Sequence, residues 1–524
     1  MSLQATTRVI MRKCIRTGRS LYKESKKSIL MADSNQSSYR SIFKATSLFG
    51  GVQVYQILIQ IIKSKFVAVL LGPAGVGIMG LYQSGLQLVQ QLSSMGLAQS
   101  AVRDVSEASG SNNIQQIART VTVVRKLVWF TGLLGLVIVA CCSPLLSKFS
   151  FGNYDYTIPF IILSITLLLD QLSAGQRVVL QGMRRLKDLA KCTAFGVTFG
   201  LITSVPLYYW LGIDGIVPTL MLNSVCSLIL SWIYSRKIKI EKVQVTPKQT
   251  IEHGKQMLVM GVSMSLSGIF ATIVSYIIRA FIQGDGGVEQ VGLYQAGFVI
   301  MTTYVGMVMN AIATDYYPRL AAINKDDLKC REAVSQQGEI GTMILAPMLT
   351  VCLIFMPIVL KILYSDSFLA ANEYISWACL GMMLRLSAWV ISYLFVAKAE
   401  SKIFLKLEIF TNIIYLLLSL LGYYTFGLSG LGIAFVLEYV IYFLLCYIMA
   451  HKRYNFRFSQ SFIKCYFMQL ILVVTCLLIV LFFEGWMKYT LGSVVIAISC
   501  YLGVQGLNQR MNLFGLIKKN IAKK

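Results

Sequence analysis

Charged side chains are scarce in this 524-residue chain and acids scarcer still: charged residues make up 14%, with 23 Asp and Glu against 48 Lys and Arg. A soluble globular protein is thereby excluded, and a hydrophobic content of 56% points to a polytopic membrane protein. There are two histidines, His253 and His451, both in predicted loops, where they read as solvated spacers rather than metal ligands. The twelve cysteines contain no CxxC pair; those inside apolar runs, such as Cys141, Cys226 and Cys446, read as small packing residues. Neither a GxxxxGK[ST] loop nor an HExxH pair occurs, which removes the simplest ATPase and zinc-protease readings. Connections between apolar runs are no longer than about 25 residues, too short for a soluble catalytic domain. A channel, a secondary transporter or flippase, and an enzyme working at the bilayer surface remain.

What is present is a series of runs of about 20 apolar residues, each long enough to cross the hydrocarbon core as a helix. Fourteen are read, near 42–70, 76–102, 124–147, 157–182, 189–210, 213–235, 256–283, 290–318, 338–364, 369–397, 403–426, 429–450, 461–483 and 487–506. The expected fold is therefore an all-α membrane protein. If the N-terminus is cytoplasmic, the connections expected inside carry 41 of the 48 Lys and Arg, while the turns GPAG (72–75), LGID (211–214) and FGLSG (426–430) carry none. Basic residues accumulate on the cytoplasmic side, so both termini are predicted there. The net charge of +25 is then mainly a topology signal that also attracts anionic lipid headgroups, and nucleic acid is not an expected partner. The first forty residues read as a basic cytoplasmic tail, or as a segment preceding a start at Met31.

GLYQSG (80–85) recurs as GLYQAG (292–297), 212 residues later, and six spans lie between the copies. An even number keeps both copies running the same way, which predicts two parallel six-helix lobes related by an axis along the membrane normal. The lobes are expected at 41–235 and 256–450, with a linker at 236–255 and two further helices plus a basic tail in 451–524. Gln83, Gln87, Gln90 and Ser94 fall within about 60° on one helix face, and Gln295, Thr302, Gly306 and Asn310 do so within about 80°. Gln53, Gln56, Gln60 and Lys63 share a face of the first span. Such stripes avoid lipid. They either bond neighbouring helices or line an aqueous cavity between the lobes, where amides can bond sugar hydroxyls or water.

Four cations lie deep in spans: Lys63, Lys65, Arg279 and Arg385. Lys65 is fifteen residues ahead of its GLYQ and Arg279 thirteen ahead of the other, so each lobe offers a cation at similar depth. Cations facing one cavity suit a phosphate-bearing substrate; the alternative is internal pairing with Asp170, Glu373 or Glu438. Asp170, seven residues from Arg177, and Glu438 are the candidate carboxylates for ion coupling.

The segments KFVAVLLGPAGVGIMGLYQ (65–83), VGLYQAG (291–297) and DYYPRL (315–320) resemble the O-antigen translocases of the multidrug, oligosaccharidyl-lipid and polysaccharide (MOP) exporter superfamily, over roughly 40–450. That resemblance implies a flippase of the bacterial inner membrane, not an enzyme and without a cofactor. It would move an undecaprenyl-pyrophosphate-linked oligosaccharide outward by alternating access, with glycan polymerase machinery as a further partner. Lys65 and Arg279 would contact pyrophosphate. Two features depart from the pattern: Gln83 stands where some relatives carry a basic residue, and spans thirteen and fourteen exceed a twelve-helix core. A peptidoglycan-precursor flippase differs only in the sugar. A cation-coupled multidrug antiporter shares the fold but calls for carboxylates as the main cavity charges.

Overall fold

A computed structural model describes residues 52 and 55–511, apart from 111–112, 184, 239, 242, 244, 308, 310–315, 317–319, 321–322 and 399. Every regular element among them is a helix. We label them α1 (55–71), α2 (73–94), α3 (Leu97–Gly110), α4 (Ile114–Phe151), α5 (Thr157–Gly182), α6 (Leu186–Leu211), α7 (Ile216–Ser235), α8 (247–286) and α9 (288–299). There follow α10 (Asp327–Leu363), α11 (Ala371–Ala397), α12 (401–426), α13 (428–454), α14 (Gln460–Phe482) and α15 (Gly485–Met511).

Among the described residues nine helical runs are long and apolar enough to cross a membrane, and several of them join two of the fourteen expected spans through their turn. Tyr55–Ser94, Lys187–Ser235 and Lys402–Tyr454 each contain one glycine of positive φ, at Gly72, Gly212 and Gly427. The less apolar run Pro247–Val299 contains Gly287 (φ 76°, ψ 177°). These four glycines fall where the hydropathy pattern separates one span from the next.

The two halves share backbone detail at a constant offset of 215. Gly212 has φ 57° and ψ −130°, and Gly427 has φ 57° and ψ −135°. Arg185 donates its N–H to the Leu180 carbonyl at 2.8 Å, and Glu400 does the same to Phe395 at 2.9 Å. Within the first half α4 packs on α5, α5 on α7 and α6 on α7; the second half repeats the α10–α11–α12/α13 arrangement. Helices α14 and α15 lie against α10, where Gln469 and Ser499 bond each other, Ser499 donating to the Gln469 amide oxygen at 2.7 Å.

Helices α2 and α9 meet backbone to backbone. A Cβ on Gly77 would lie 1.8 Å from the Val288 carbonyl oxygen, and one on Gly292 would lie 1.9 Å from that of Pro73. Pro73 with Val288, Gly77 with Gly292 and Gly80 with Gln295 are all 215 apart, so the helices run parallel and touch at equivalent positions across a pseudo-twofold axis. This corrects the register suggested by the hexapeptides. The letters match at 212, one helical turn away from the structural equivalence. Three residues rotate a helix by about 300°, so a slip of one turn leaves the polar stripes on nearly the same face.

A side chain at Gly77 must push the two helices apart. Gly77→Ala is expected to destabilise the protein by roughly 1–3 kcal/mol through overpacking. Gly268→Ala, at a helical position with nothing within 4 Å, should be neutral or stabilising by up to about 1 kcal/mol. Thermal unfolding of the two variants in one detergent makes the comparison; equal melting temperatures would contradict a closed backbone crossing.

Candidate functional site

Beneath the α2–α9 crossing lies a chamber of about 100 Å³, lined by Gln60 and Lys63 of α1, Gln83 of α2 and Gln295 of α9, with Tyr208 and Tyr364. None of its lining residues is acidic. Four of the polar residues expected to share a cavity are therefore brought together, three from the first half and Gln295 from the second. The halves touch on both sides of it. On one side is the Gly77–Gly292 crossing; on the other a Cβ on Gly96 would lie 2.1 Å from the Gly261 carbonyl oxygen. The chamber is open to the surface at Gln60 and Gln83, both of which are exposed.

Arg279 stands behind Gln295. It is 5% exposed and donates from Nε to the Gln295 Oε1 at 2.8 Å and from Nη1 to the Ser275 carbonyl at 2.8 Å and to the Ser275 hydroxyl. Its guanidinium also lies 4.9 Å from the Phe298 ring centroid and 5.7 Å from that of Tyr294. No carboxylate is within ion-pair distance of Arg279 among the described residues. A buried guanidinium is thus satisfied by amide, carbonyl, hydroxyl and ring faces while its charge stays uncancelled. Because Gln295 gives its oxygen to Arg279, its amide N–H donors are left for the chamber.

Lys65 is placed elsewhere. Its ammonium donates to the carbonyls of Lys361 at 2.6 Å and Tyr364 at 2.5 Å, the end of α10. The last turn of a helix has orphan carbonyls and the negative end of the dipole, so this lysine caps α10 and ties α1 to the second half. Measured from the hairpin glycines, Lys65 is seven residues before Gly72 and Arg279 eight before Gly287. The two cations are therefore at one depth but point in different directions.

Arg385 lines a separate cavity of about 530 Å³ within the second half, together with Trp389, Glu408 and Tyr442. Tyr442 donates to Glu408 at 2.6 Å, and Glu408 and Glu438 are the acidic neighbours of Arg385. Glu438 is not among the lining residues of the central chamber and lies near Arg385 on one side and Tyr294 on the other. Asp170 lies in the first half, bonded to Ser224 and near Arg177. Glu408 escaped the sequence reading because it follows Lys402 and Lys406 at the edge of a span, where a carboxylate looks like part of the loop.

Of the remaining stripe residues, Gln87 is exposed, Gln56 and Gln90 are half-buried, and Thr302, within the π turn Ile300–Val305, donates its hydroxyl to the Phe298 carbonyl at 2.7 Å. Gln53 and Asn310 lie outside the described residues.

Comparison with known proteins bears on the family and the fold. Residues 66–373 match the family model described as polysaccharide biosynthesis protein. Lipid III flippases of Escherichia coli K12 and Shigella flexneri are each 22% identical over 417 residues, covering 78% of this chain and 97% of theirs. Among solved structures, an inward-facing multidrug resistance transporter of the MOP superfamily superposes with a TM-score of 0.67 at 15% identity, covering 76% of this chain and 94% of that one. The lipid II flippase MurJ does so with 0.62 at 12% identity, covering 90% of this chain and 99% of that one. The chain belongs to the polysaccharide biosynthesis protein family and has the MOP-superfamily transporter fold.

Proposed function

We propose that the protein is a flippase that moves an undecaprenyl-pyrophosphate-linked oligosaccharide, an O-antigen repeat unit or one like it, from the cytoplasmic to the periplasmic leaflet of a bacterial inner membrane by alternating access. The observation that carries this reading is the acid-free chamber between the halves, with Lys63 in its wall and Arg279 behind Gln295. A pyrophosphate carries its negative charge into a low-dielectric space, where it is stable only beside cations and N–H donors. Lys63, Arg279 and the Gln295 amide supply these from both halves, so closure of the lobes gathers the site. An antiporter for organic cations requires the opposite sign of charge there. The lipid III and lipid II flippases among its relatives support a lipid-linked cargo.

In this reading Lys65 belongs to the outer gate. It holds the end of α10 while that side is closed and becomes a further phosphate contact when the halves part. Asp170 and Glu438, one in each half and both away from the chamber, are the coupling carboxylates, so ion binding and cargo binding act through the relative position of the lobes.

Two measurements test the assignment. In cells whose surface glycan depends on this protein, stably inserted Lys63→Ala and Arg279→Ala variants should each lower glycan display by about tenfold or more, while Lys63→Arg restores most of it. Full display in both alanine variants would sink the phosphate role. For the gate, Lys65→Met should make a cysteine at Met79, in the chamber wall, react faster with an impermeant maleimide added from outside the cell. An unchanged rate would leave Lys65 out of the gate.

A further inference from the structure

The second-half cavity has a counterpart in the first. Trp389, Ser392, Tyr393, Val396 and Phe404 line the cavity of about 530 Å³, and the residues 215 positions earlier, Ala174, Arg177, Val178, Gln181 and Leu189, line one of about 440 Å³. The duplicated fold thus builds the same cleft twice and furnishes it differently. Where the second copy has Trp389, Tyr393 and Phe404, the first has Ala174, Val178 and Leu189. At the positions equivalent to Arg385, Glu408 and Tyr442 the first half carries Asp170, Thr193 and Ser227. The first half folds with small and aliphatic residues at these places, so packing does not call for aromatic rings there.

We propose that the second-half cavity is the subsite for the sugar head of the lipid-linked cargo, an inference that rests on the flippase reading above. Trp389 and Tyr393 form an aromatic corner, their ring centroids 4.7 Å apart and tilted by 57°. Ring faces carry negative quadrupole density, and the C–H face of a pyranose packs on them. Arg385, Glu408 and Tyr442 lie in the same wall and offer donors and acceptors to hydroxyl groups. A carboxylate beside a guanidinium makes the cavity a poor site for pyrophosphate and a good one for a neutral polyhydroxylated ligand. Its volume falls within the roughly 300–1,000 Å³ usual for small-molecule sites. Val396 and Phe404 flank the connection at 398–400, on the side predicted to be cytoplasmic. That is the leaflet from which the sugar head enters.

The test uses the full chain in vesicles and two lipids: the lipid-linked oligosaccharide extracted from cells depleted of this protein, and bare undecaprenyl pyrophosphate as competitor. The variant Trp389→Ala/Tyr393→Val/Phe404→Leu installs the residues of the first half, and Trp389→Leu alone gives a milder version should the triple variant fail to fold. Both should raise the half-saturating concentration of the oligosaccharide lipid, by about tenfold for the triple variant, with the maximal rate and the inhibition by the bare lipid unchanged. An unchanged half-saturating concentration, or a parallel weakening of inhibition by the bare lipid, overturns the sugar subsite. If the wild-type protein moves no oligosaccharide lipid at all, the flippase reading fails and this one with it.

Discussion

The contact between Gly77 and Gly292 sets the geometry of everything around it. Two transmembrane helices from different halves approach until each glycine touches the carbonyl four residues earlier on the other, Val288 or Pro73. In a membrane no hydrophobic drive separates helix from lipid, so association rests on close packing and on polar contacts, and small residues give both. This contact fixes where the pseudo-twofold axis passes. One turn further along, Gly80 makes room for the Gln295 side chain, whose Cγ would lie 3.3 Å from a Cβ there. The chamber polar group is thus positioned by the same crossing.

Holding positive charge next to that axis is the main electrostatic problem of the fold. Pairing Arg279 with a buried carboxylate would solve it but would also cancel its field. The chain instead surrounds the guanidinium with Ser275, Gln295 and the rings of Tyr294 and Phe298. These groups satisfy the N–H donors without neutralising the charge. The carboxylates inside the halves are grouped with other cations, Glu408 and Glu438 near Arg385 and Asp170 near Arg177. Charge is segregated by location: a basic axis and mixed lobes.

Much of this organisation was legible in the residues. Hydropathy and the basic loops marked the helices, and the turns at Gly72, Gly212, Gly287 and Gly427 were visible because polar or glycine-rich breaks interrupt long apolar runs. The GLYQ repeat identified the correct pair of helices and their parallel direction. Its register was wrong by one turn because sequence identity records ancestry of letters, whereas the axis is set by which backbones can touch, and on these two helices Gly77 and Gly292 do so. The chamber residues Gln60, Lys63, Gln83 and Gln295 were readable as amphipathic stripes, since a polar face in a lipid-facing span needs an explanation. Tyr208 and Tyr364 were not, because a single tyrosine in an apolar run carries no periodic signal. The destination of Lys65 was equally hidden: its partners are main-chain carbonyls, which every residue possesses.

Duplication supplies a comparison within one chain that separates the demands of folding from those of function. Where the halves agree, as at Gly212 and Gly427 or at Arg185 and Glu400, the shared feature is backbone geometry that the fold requires twice. Where they differ at equivalent positions, folding does not dictate the residue. Asp170 against Arg385 reverses the charge, and Ala174 against Trp389 turns a small cleft wall into a ring face. Both changes fall in the same cavity of the second half, and no such set of aromatic gains occupies its counterpart. A transporter that alternates between two states needs its lobes alike in framework, so that they can rock about one axis, and unlike in lining, so that cargo and coupling ion meet different surfaces. In this chain the glycines supply the likeness of framework, and the residues of these two cavities supply the difference in lining.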